Sequence, residues 1–212
     1  MLNYLNALKY PITNIKSFVI GALLTLFSIL FIPFLLVQGY VVKIIRETNK
    51  GSDFMPEWED WKVLLFDGFF VFAIEVVYLL PSLLLVMTAV LITPQSLASM
   101  TTSGATPNLG TPTIVLILLG IVIAFLASIF LPVAIITYAL TKEFKSAIDV
   151  VTIIKIVLMN PLNYILNLII SAIMMSIFLI MAIITSFLLL PLLFYPVVIT
   201  FRILSGWFTE SP

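Results

Sequence analysis

The sequence predicts an all-α integral membrane protein, a polytopic helical bundle that forms a single domain over residues 1–212. Of the 212 residues, 62% are apolar and only 9% are charged, whereas soluble domains have about 25% charged residues. The mean hydropathy is +1.26. The apolar residues form long runs, each longer than the ~20 residues that a membrane-spanning helix needs. Lipid is therefore the expected solvent for most of the surface.

Four apolar runs predict the spans: residues 18–45, 63–92, 113–140 and 164–204. A proline inside a helix removes one backbone hydrogen bond and bends the helix, and every run contains one: Pro33, Pro81, Pro132, and the pair Pro191 and Pro196. The last run as one helix would be ~60 Å long, about twice the hydrocarbon core. We therefore predict four long, proline-kinked transmembrane helices, the fourth ending near Leu190, and a short bent C-terminal segment.

Two polar connections each predict an interfacial amphipathic helix. Pro56 suits a first helical position, acidic residues follow it, and Trp58 and Trp61 then share one face. In the second connection Lys145, Asp149 and Lys155 lie on one side of a helical wheel, opposite apolar residues. The polar face of this second helix is either merely solvated or a docking surface. These three residues, together with Trp58 and Trp61, form a candidate interfacial or partner surface.

Lysine and arginine are distributed unevenly between the two sides of the predicted bundle. Seven lie at or within the connections 46–62 and 141–163, and three lie elsewhere, namely Lys9, Lys16 and Arg202. Basic connections stay on the cytoplasmic side, so both are expected in the cytoplasm of a plasma-membrane protein. The uncharged connection 93–112 is then extracytoplasmic, and the N-terminus lies outside if the first run crosses once.

Two helical hairpins, residues 18–92 and 113–190, can be laid over one another. Phe31-Ile32-Pro33 matches Phe130-Leu131-Pro132, and in both hairpins a tyrosine and a lysine follow. This pattern indicates a possible parallel repeat of two hairpins.

Glu75 lies near the centre of the second run, where an ionisable side chain is costly. Asp67 and Tyr78 lie close to it along the same run. This candidate intramembrane polar site is either a proton or cation site, or a structural carboxyl that is hydrogen-bonded or ion-paired inside the bundle. If the chain turns back at Pro191 and Pro196, Arg202 returns into the membrane as a candidate partner that neutralises Glu75.

The composition also excludes several kinds of chemistry. The chain has no Cys and no His, which rules out disulfides, thiolate nucleophiles, imidazole bases and the metal sites that use these ligands. Ten basic residues balance ten acidic ones, so nothing indicates nucleic-acid binding. A glycine-rich phosphate loop and a nucleophile elbow are both missing from the sequence. We expect no cofactor, no metal and no enzymatic activity.

One stretch carries a family resemblance. Its elements are Gln38-Gly39-Tyr40, Lys43 to Arg46, Gly51, Pro56-Glu57-Trp58, Asp60-Trp61 and Phe66-Asp67-Gly68. Together they resemble the domain-of-unknown-function family 4013, multi-pass proteins of archaea and some bacteria. The resemblance implies a cytoplasmic connection as the family hallmark, a membrane location that is an archaeal plasma membrane, and no assigned activity.

Two functions are compatible with these expectations. The first is a non-enzymatic membrane module that packs with other membrane components or lipids through its cytoplasmic helices. Its partners would be the bilayer, another membrane protein or a second copy of the chain. The alternative is a small solute or ion transporter, or a channel component, that uses Glu75.

Overall fold

The computed structural model describes residues 4–92, 111–184 and 193–210. Within these ranges the regular structure is helical and contains no strand, which confirms the all-α prediction. Three helices are long and apolar enough to cross a membrane: Trp61–Leu91, Thr111–Thr141 and Pro161–Met181. The predicted second, third and fourth spans correspond to these helices, whereas the predicted first span does not satisfy the same criterion.

Nine α-helices are numbered here in chain order within the described ranges. They are α1 (Tyr4–Lys9), α2 (Ile15–Leu26), α3 (Phe31–Asn49), α4 (Trp61–Leu91), α5 (Thr111–Thr141), α6 (Phe144–Ile148), α7 (Val150–Met159), α8 (Pro161–Ile184) and α9 (Phe194–Glu210). A short 3-10 helix, Tyr10–Thr13, joins α1 to α2.

The first predicted span is two helices, so the prediction of one continuous helix over residues 18–45 is wrong. The chain leaves α2 after Leu26, and α3 begins at Phe31. Between them, the N–H of Phe27 donates to the carbonyl of Leu23, and the N–H of Ser28 donates to the carbonyl of Thr25. Pro33 is the third residue of α3. A proline is tolerated in the first turn because that N–H has no helical partner there. The proline thus starts a helix instead of kinking one.

The two helices fold back on each other, and the N-terminus returns to the connection that follows α3. The Thr13 hydroxyl accepts a hydrogen bond from the N–H of Met55 at 2.9 Å, and the Ser17 carbonyl accepts one from the Trp58 indole at 2.8 Å. The start of α2 and the end of α3 therefore lie at the same connection. A single crossing by the first run, with the N-terminus outside, does not fit this arrangement.

Residues 52–60 contain no helix, and α4 begins only at Trp61. The predicted interfacial helix at residues 56–62 is therefore wrong. The carbonyls that would have continued a helix bond elsewhere: Pro56 accepts from the Tyr40 hydroxyl and Glu57 accepts from Lys43. Asp60 has a positive φ of 53° immediately before the helix. Tertiary contacts outweigh the local helix signals at this point.

The second connection is helical as predicted, but it is divided into α6 and α7 at Asp149. The Asp149 side chain accepts a hydrogen bond from the N–H of Thr152 and so caps α7. Ala147, Ile153 and Val157 are buried, whereas Lys145 and Lys155 are exposed. The two short helices thus keep one apolar face inward and their lysines outward.

The remaining prolines lie in different settings. Pro81 and Pro132 are inside the continuous helices α4 and α5, and Pro196 is the third residue of α9. Kinks at these prolines stay predictions. Pro191 and residues 93–110 fall outside the described residues, as does the course of the chain between α8 and α9. Pro33 and Pro132, which anchor the proposed repeat, occupy a helix start and a helix interior respectively.

The chain divides into two compact units, residues 1–74 with 132–212, and residues 75–131. In the first unit α9 packs against α3 and α8, and its core contains the fully buried side chains Tyr40, Ile44, Phe194 and Leu204. In the second unit the Ser82 hydroxyl donates to the carbonyl of Gly120 at 2.8 Å. Its described apolar side chains are mostly exposed, as expected for a surface in lipid.

Candidate functional site

An ion pair between Arg46 and Asp67 is the centre of the candidate site. Nη1 of Arg46 donates to Oδ2 of Asp67, and Nη2 donates to Oδ1 at 3.1 Å. The Tyr138 hydroxyl also donates to Oδ1 at 2.9 Å, and Nε of Arg46 donates to the carbonyl of Ala139 at 2.8 Å. The side chains of the pair are only 19% and 11% exposed. One carboxylate therefore joins α3, α4 and α5 within the first unit.

Two glycines bring α3 and α4 into contact at this pair. A Cβ added to Gly39 would overlap the backbone of Leu64, and one added to Gly68 would overlap the backbone of Leu35. Small residues allow helix backbones to approach this closely in membranes. The contact uses one glycine from each helix, so no spaced glycine pair within one helix is needed. Gly68 directly follows Asp67, so the close helix contact lies next to the ion pair.

The connection after α3 is fixed by Tyr40 and Trp58. Their rings stack at a centroid distance of 3.9 Å with an angle of 4° between planes. The Tyr40 hydroxyl donates to the carbonyl of Pro56, and Nζ of Lys43 donates to the carbonyl of Glu57 at 2.7 Å. Phe194 from α9 packs against both rings. The connection is therefore held against the helices at several points.

Arg202 joins the C-terminal helix to the same connection. Its guanidinium donates to the Thr48 hydroxyl at 3.0 Å, the Ser52 carbonyl at 2.6 Å and Oδ1 of Asp53 at 3.0 Å. It also lies 4.6 Å from the centroid of the Tyr10 ring, a cation–π distance. Burial raises the pKa of Tyr10 to about 12, while the nearby Arg202 charge acts to lower it.

A cavity of about 150 Å³ opens beside the ion pair. Its walls are Lys43, Arg46, Glu59, Asp60, Val63, Leu64 and Asp67. Five of these seven residues are charged, although only 9% of the chain is charged. Across the described ranges, no group of three His, Cys, Asp or Glu residues is arranged to hold a metal ion. The cavity combines both signs of charge at the start of a span-length helix.

The four residues of the predicted intramembrane site are divided between the two compact units. Asp67 and Arg202 belong to the first unit, whereas Glu75 and Tyr78 belong to the second. Asp67 pairs with Arg46, and Arg202 pairs with Asp53. The hypothesis that Arg202 neutralises Glu75 therefore gains no support from the partners of Arg202. Glu75 and Tyr78 are both half-buried.

The predicted partner surface is divided as well. Trp58 is only 8% exposed and belongs to the core, so its assignment to an exposed partner surface is wrong: its ring is needed to stack on Tyr40. Trp61 is 42% exposed. Lys145, Asp149 and Lys155 are all exposed. The hydrogen bonds from Thr152, first its hydroxyl and then its N–H, lower the pKa of Asp149.

Sequence reasoning missed Arg46, Tyr138 and Lys43 as site residues. The sequence predicts Arg46 only as one of the basic residues of the first connection, and Tyr138 only as the tyrosine that follows Phe130-Leu131-Pro132 in the second hairpin. A signal was present, since Asp67 lies near the start of an apolar run and a carboxylate there requires a basic partner. Lys43 and Arg46, at the end of the preceding apolar run, were two candidate partners.

A family model described as "Protein of unknown function (DUF4013)" matches residues 22–190. The chain belongs to this family. No curated protein and no solved structure gives a significant match. The DUF4013 match includes both helices of the Arg46–Asp67 pair, the cavity and the connection between them.

The residues that carry the resemblance to DUF4013 contact one another in the structure. Gly39 and Gly68 form the helix contact, Arg46 and Asp67 form the ion pair, and Tyr40 stacks on Trp58. Gly51 has a φ of 79°, a conformation that glycine adopts without strain. The family resemblance therefore coincides with the site that this geometry defines.

Proposed function

We propose that this member of DUF4013 is a non-enzymatic multi-pass membrane module. Its spans hold one charged face at the cytoplasmic surface of the plasma membrane, and that face packs with other membrane components or lipids. The face consists of residues 6–17, the connection 50–60, helices α6 and α7, and the part of α9 around Arg202. The observation that carries the proposal is that Arg46 joins α3 to α4 and α5, and that Arg202 joins α9 to the connection 50–60.

The distribution of charge supports this orientation. All ten lysines and arginines of the chain lie outside residues 75–131, where Glu75 is the only charged residue. Arg202 contacts the connection after α3, and the N-terminal segment contacts it through Thr13. The three basic residues that were expected on the opposite side thus belong to segments that meet the basic connection. An excess of lysine and arginine marks the cytoplasmic side.

The internal pairing of the polar groups favours a module over an enzyme. Both carboxylate oxygens of Asp67 accept hydrogen bonds from Arg46, and one also accepts from Tyr138. A carboxylate held in this way is a structural joint between helices and is poorly placed to act as a base. Trp61, Lys145 and Lys155 remain exposed on the same unit and are available to a neighbour.

The absence of native cysteine allows a direct test of this face. Single cysteines at Lys9, Phe54 and Lys145, all exposed, would be probed with a membrane-impermeant thiol reagent in intact cells and in inverted vesicles. Ile92, at the far end of α4, is the control for the opposite side. All three positions should react in inverted vesicles, while Ile92 should react in intact cells. If the cysteines at positions 9 and 54 react from opposite sides of the membrane, these two segments do not belong to one face.

A photo-crosslinking residue at Trp61 or Lys145 tests for neighbours in native membranes. We expect defined adducts with a membrane protein or a lipid from these positions, and the same adducts after the charge of Glu75 is removed. The matched control is Leu158, which is 65% exposed on α7 but apolar. If Trp61 and Lys145 give no adducts beyond those of Leu158, the packing role is wrong.

Transport around Glu75 is the second candidate function. Glu75 is half-buried in α4, and an ionisable side chain within a span marks a solute or ion path in many membrane proteins. A cysteine at position 75 would be reached by a small charged thiol reagent if water enters the bundle. Rapid labelling, together with solute flux in liposomes that is lost in Glu75→Gln, would favour this function over the module.

A further inference from the structure

The cavity beside the Arg46–Asp67 pair is lined by positively and by negatively charged side chains that retain hydrogen-bonding capacity. A guanidinium carries five N–H donors and an ammonium carries three. Arg46 uses three of its donors, two on Asp67 and one on the carbonyl of Ala139. Lys43 uses one, on the carbonyl of Glu57. Among the residues that the structure describes, two donors on each side chain therefore remain for a ligand with negatively charged oxygens.

The opposite charge comes from Glu59 and Asp60. Both line the cavity, and within residues 4–92, 111–184 and 193–210 neither carboxylate has a hydrogen-bond or ion-pair partner. Asp67 differs, because both of its oxygens are taken. Asp60 has a positive φ directly before α4, and both acids are exposed to solvent. They are available to a ligand with an ammonium group.

A ligand carrying one charge would leave part of this site unmatched. An anion would satisfy Lys43 and Arg46 but would bring Glu59 and Asp60 close to a like charge. A cation would satisfy the acids and leave the donors of Lys43 and Arg46 without an acceptor. A zwitterion that joins a phosphate to an amine matches both sets, since polar groups that lose water must regain hydrogen bonds.

The size and position of the cavity indicate where such a ligand comes from. A cavity needs only ~10–15 Å³ to hold one water, so a volume of about 150 Å³ accommodates a phosphate joined to a short amine. Val63 and Leu64, which line it, lie in the first turn of α4. That helix has 31 residues, more than the ~20 that cross the hydrocarbon core, so its ends reach the headgroup level.

We propose that this cavity binds the headgroup of a zwitterionic phospholipid that carries a primary amine. The phosphate lies on Lys43 and Arg46, and the ammonium lies on Glu59 and Asp60. The inference rests on the proposed function, because it names the lipid class that the charged face takes. In this proposal Lys43, Glu59 and Asp60 bind the ligand, and Asp67 positions Arg46 through the ion pair.

The test is lipid binding to the full chain, purified in detergent and measured by native mass spectrometry. The probes are phosphatidylethanolamine, phosphatidylcholine and phosphatidylglycerol with identical acyl chains. Phosphatidylcholine keeps the zwitterion but cannot donate hydrogen bonds from its amine, and phosphatidylglycerol lacks the amine. We expect the protein to bind phosphatidylethanolamine about tenfold more tightly than either, which corresponds to about 1.4 kcal/mol.

Two variants connect this preference to the cavity. The double variant Glu59→Gln with Asp60→Asn removes the ammonium partners, and asparagine tolerates the positive φ at position 60. Lys43→Met removes a phosphate partner. The double variant should lower the preference for phosphatidylethanolamine at least about fivefold. Lys43→Met should weaken the binding of all three lipids to a similar extent, because each of them carries a phosphate. Two single variants outside the cavity are the controls: Glu57→Gln removes an acid from the same connection, and Lys62→Met removes a lysine at the start of α4. Both should keep the preference.

Several outcomes would overturn the proposal. Equal binding of the three lipids, or a preference that survives the Glu59/Asp60 double variant, would show that the cavity does not recognise the headgroup. Soluble phosphoethanolamine that binds as tightly as the lipid would assign the site to a soluble ligand of the same chemistry. Circular dichroism and elution volume check that each variant is folded. The cysteine-labelling pattern of the charged face is independent of these results, so either proposal can fail alone.

Discussion

Arg46 and Asp67 are 21 positions apart in the chain, and their side chains meet in a two-pronged ion pair that joins α3 to α4. Tyr138 adds a third helix through its hydroxyl. Breaking a buried pair by removing one partner costs about 3–5 kcal/mol, because the remaining charge is left uncompensated. The stability of the packing between α3 and α4 therefore depends on this pair.

Asp67→Asn should lower the free energy of unfolding by about 3 kcal/mol, the low end of that range because the pair is partly exposed. Tyr138→Phe should cost about 1 kcal/mol, since it removes one hydrogen bond. Unfolding by a denaturing detergent measures both. Lys50→Met, which removes the exposed pair with Glu47, is the control and should change stability by less than about 0.5 kcal/mol. Equal effects at Asp67 and Lys50 would contradict a structural role for the Arg46 pair.

Gly39→Ala should destabilise the protein by about 2 kcal/mol or more, because the new methyl group overlaps the backbone of Leu64. Backbone atoms cannot move aside as a flexible side chain does, so α3 and α4 must separate. The midpoint of thermal unfolding in detergent measures the effect. Gly120→Ala is the control, since its closest neighbour is a side-chain methyl of Val86. A cost at Gly39 no greater than at Gly120 would contradict the close helix contact.

Trp58→Ala should cost about 3–5 kcal/mol, as expected for a large buried aromatic side chain. The substitution removes the stacking on Tyr40 and the hydrogen bond to Ser17. Trp61→Ala, at a residue that is 42% exposed, should cost less than about 1 kcal/mol. Chemical unfolding of the two variants under identical conditions compares them directly. Similar costs at both positions would contradict the burial of Trp58 in the core.

Tyr10 should titrate late, with a pKa of about 12 against the ordinary value of 10.0, because burial disfavours the phenolate. The contribution of this neutral phenol to stability is fully present below pH 10 and is lost as the pH rises to about 12. The phenolate absorbance of the wild type minus that of Tyr10→Phe measures the titration. A difference curve centred near pH 10 would contradict the burial of Tyr10 under Arg202.

Asp149 should make the start of α7 sensitive to acid. Hydrogen bonds from Thr152 lower the pKa of its carboxyl below the ordinary 3.8, so the cap is fully present above that value and is lost as the pH falls through the lowered pKa. Amide hydrogen exchange at Thr152 should be slow at neutral pH and faster in Asp149→Ala. Asp149→Asn should keep the cap without the pH dependence, because asparagine is also a good cap. Identical exchange in the alanine variant and the wild type would contradict the cap.

The span-length helices were predictable because composition alone marks them. The predicted runs 63–92 and 113–140 agree with α4 and α5 to within a few residues, since polar residues border these apolar runs. The break after Leu26 carries no comparable signal, because Phe27 to Leu30 includes only one polar residue, Ser28. That turn depends on how α2 packs against α3, which a hydropathy pattern does not contain.

The site was predictable only in part. The sequence predicts Asp67 and Arg202 as members of the candidate site around Glu75, but their partners come from segments that only the fold brings together. The helix predicted from Pro56 failed for the same reason, since Tyr40 and Lys43 bind the carbonyls that the helix would have used. Local signals of a few tenths of a kcal/mol are outweighed by such contacts.

The confinement of every lysine and arginine to residues outside 75–131 also bears on biosynthesis. Moving one charge across the membrane potential involves about 2.3 kcal/mol per 100 mV. In the proposed orientation, the hairpin of α4 and α5 is inserted without translocating any basic side chain, so the insertion machinery does not work against an inside-negative potential. A lysine introduced into the connection between α4 and α5 would favour keeping that connection in the cytoplasm. The newly made chain would then insert as a mixture of two topologies.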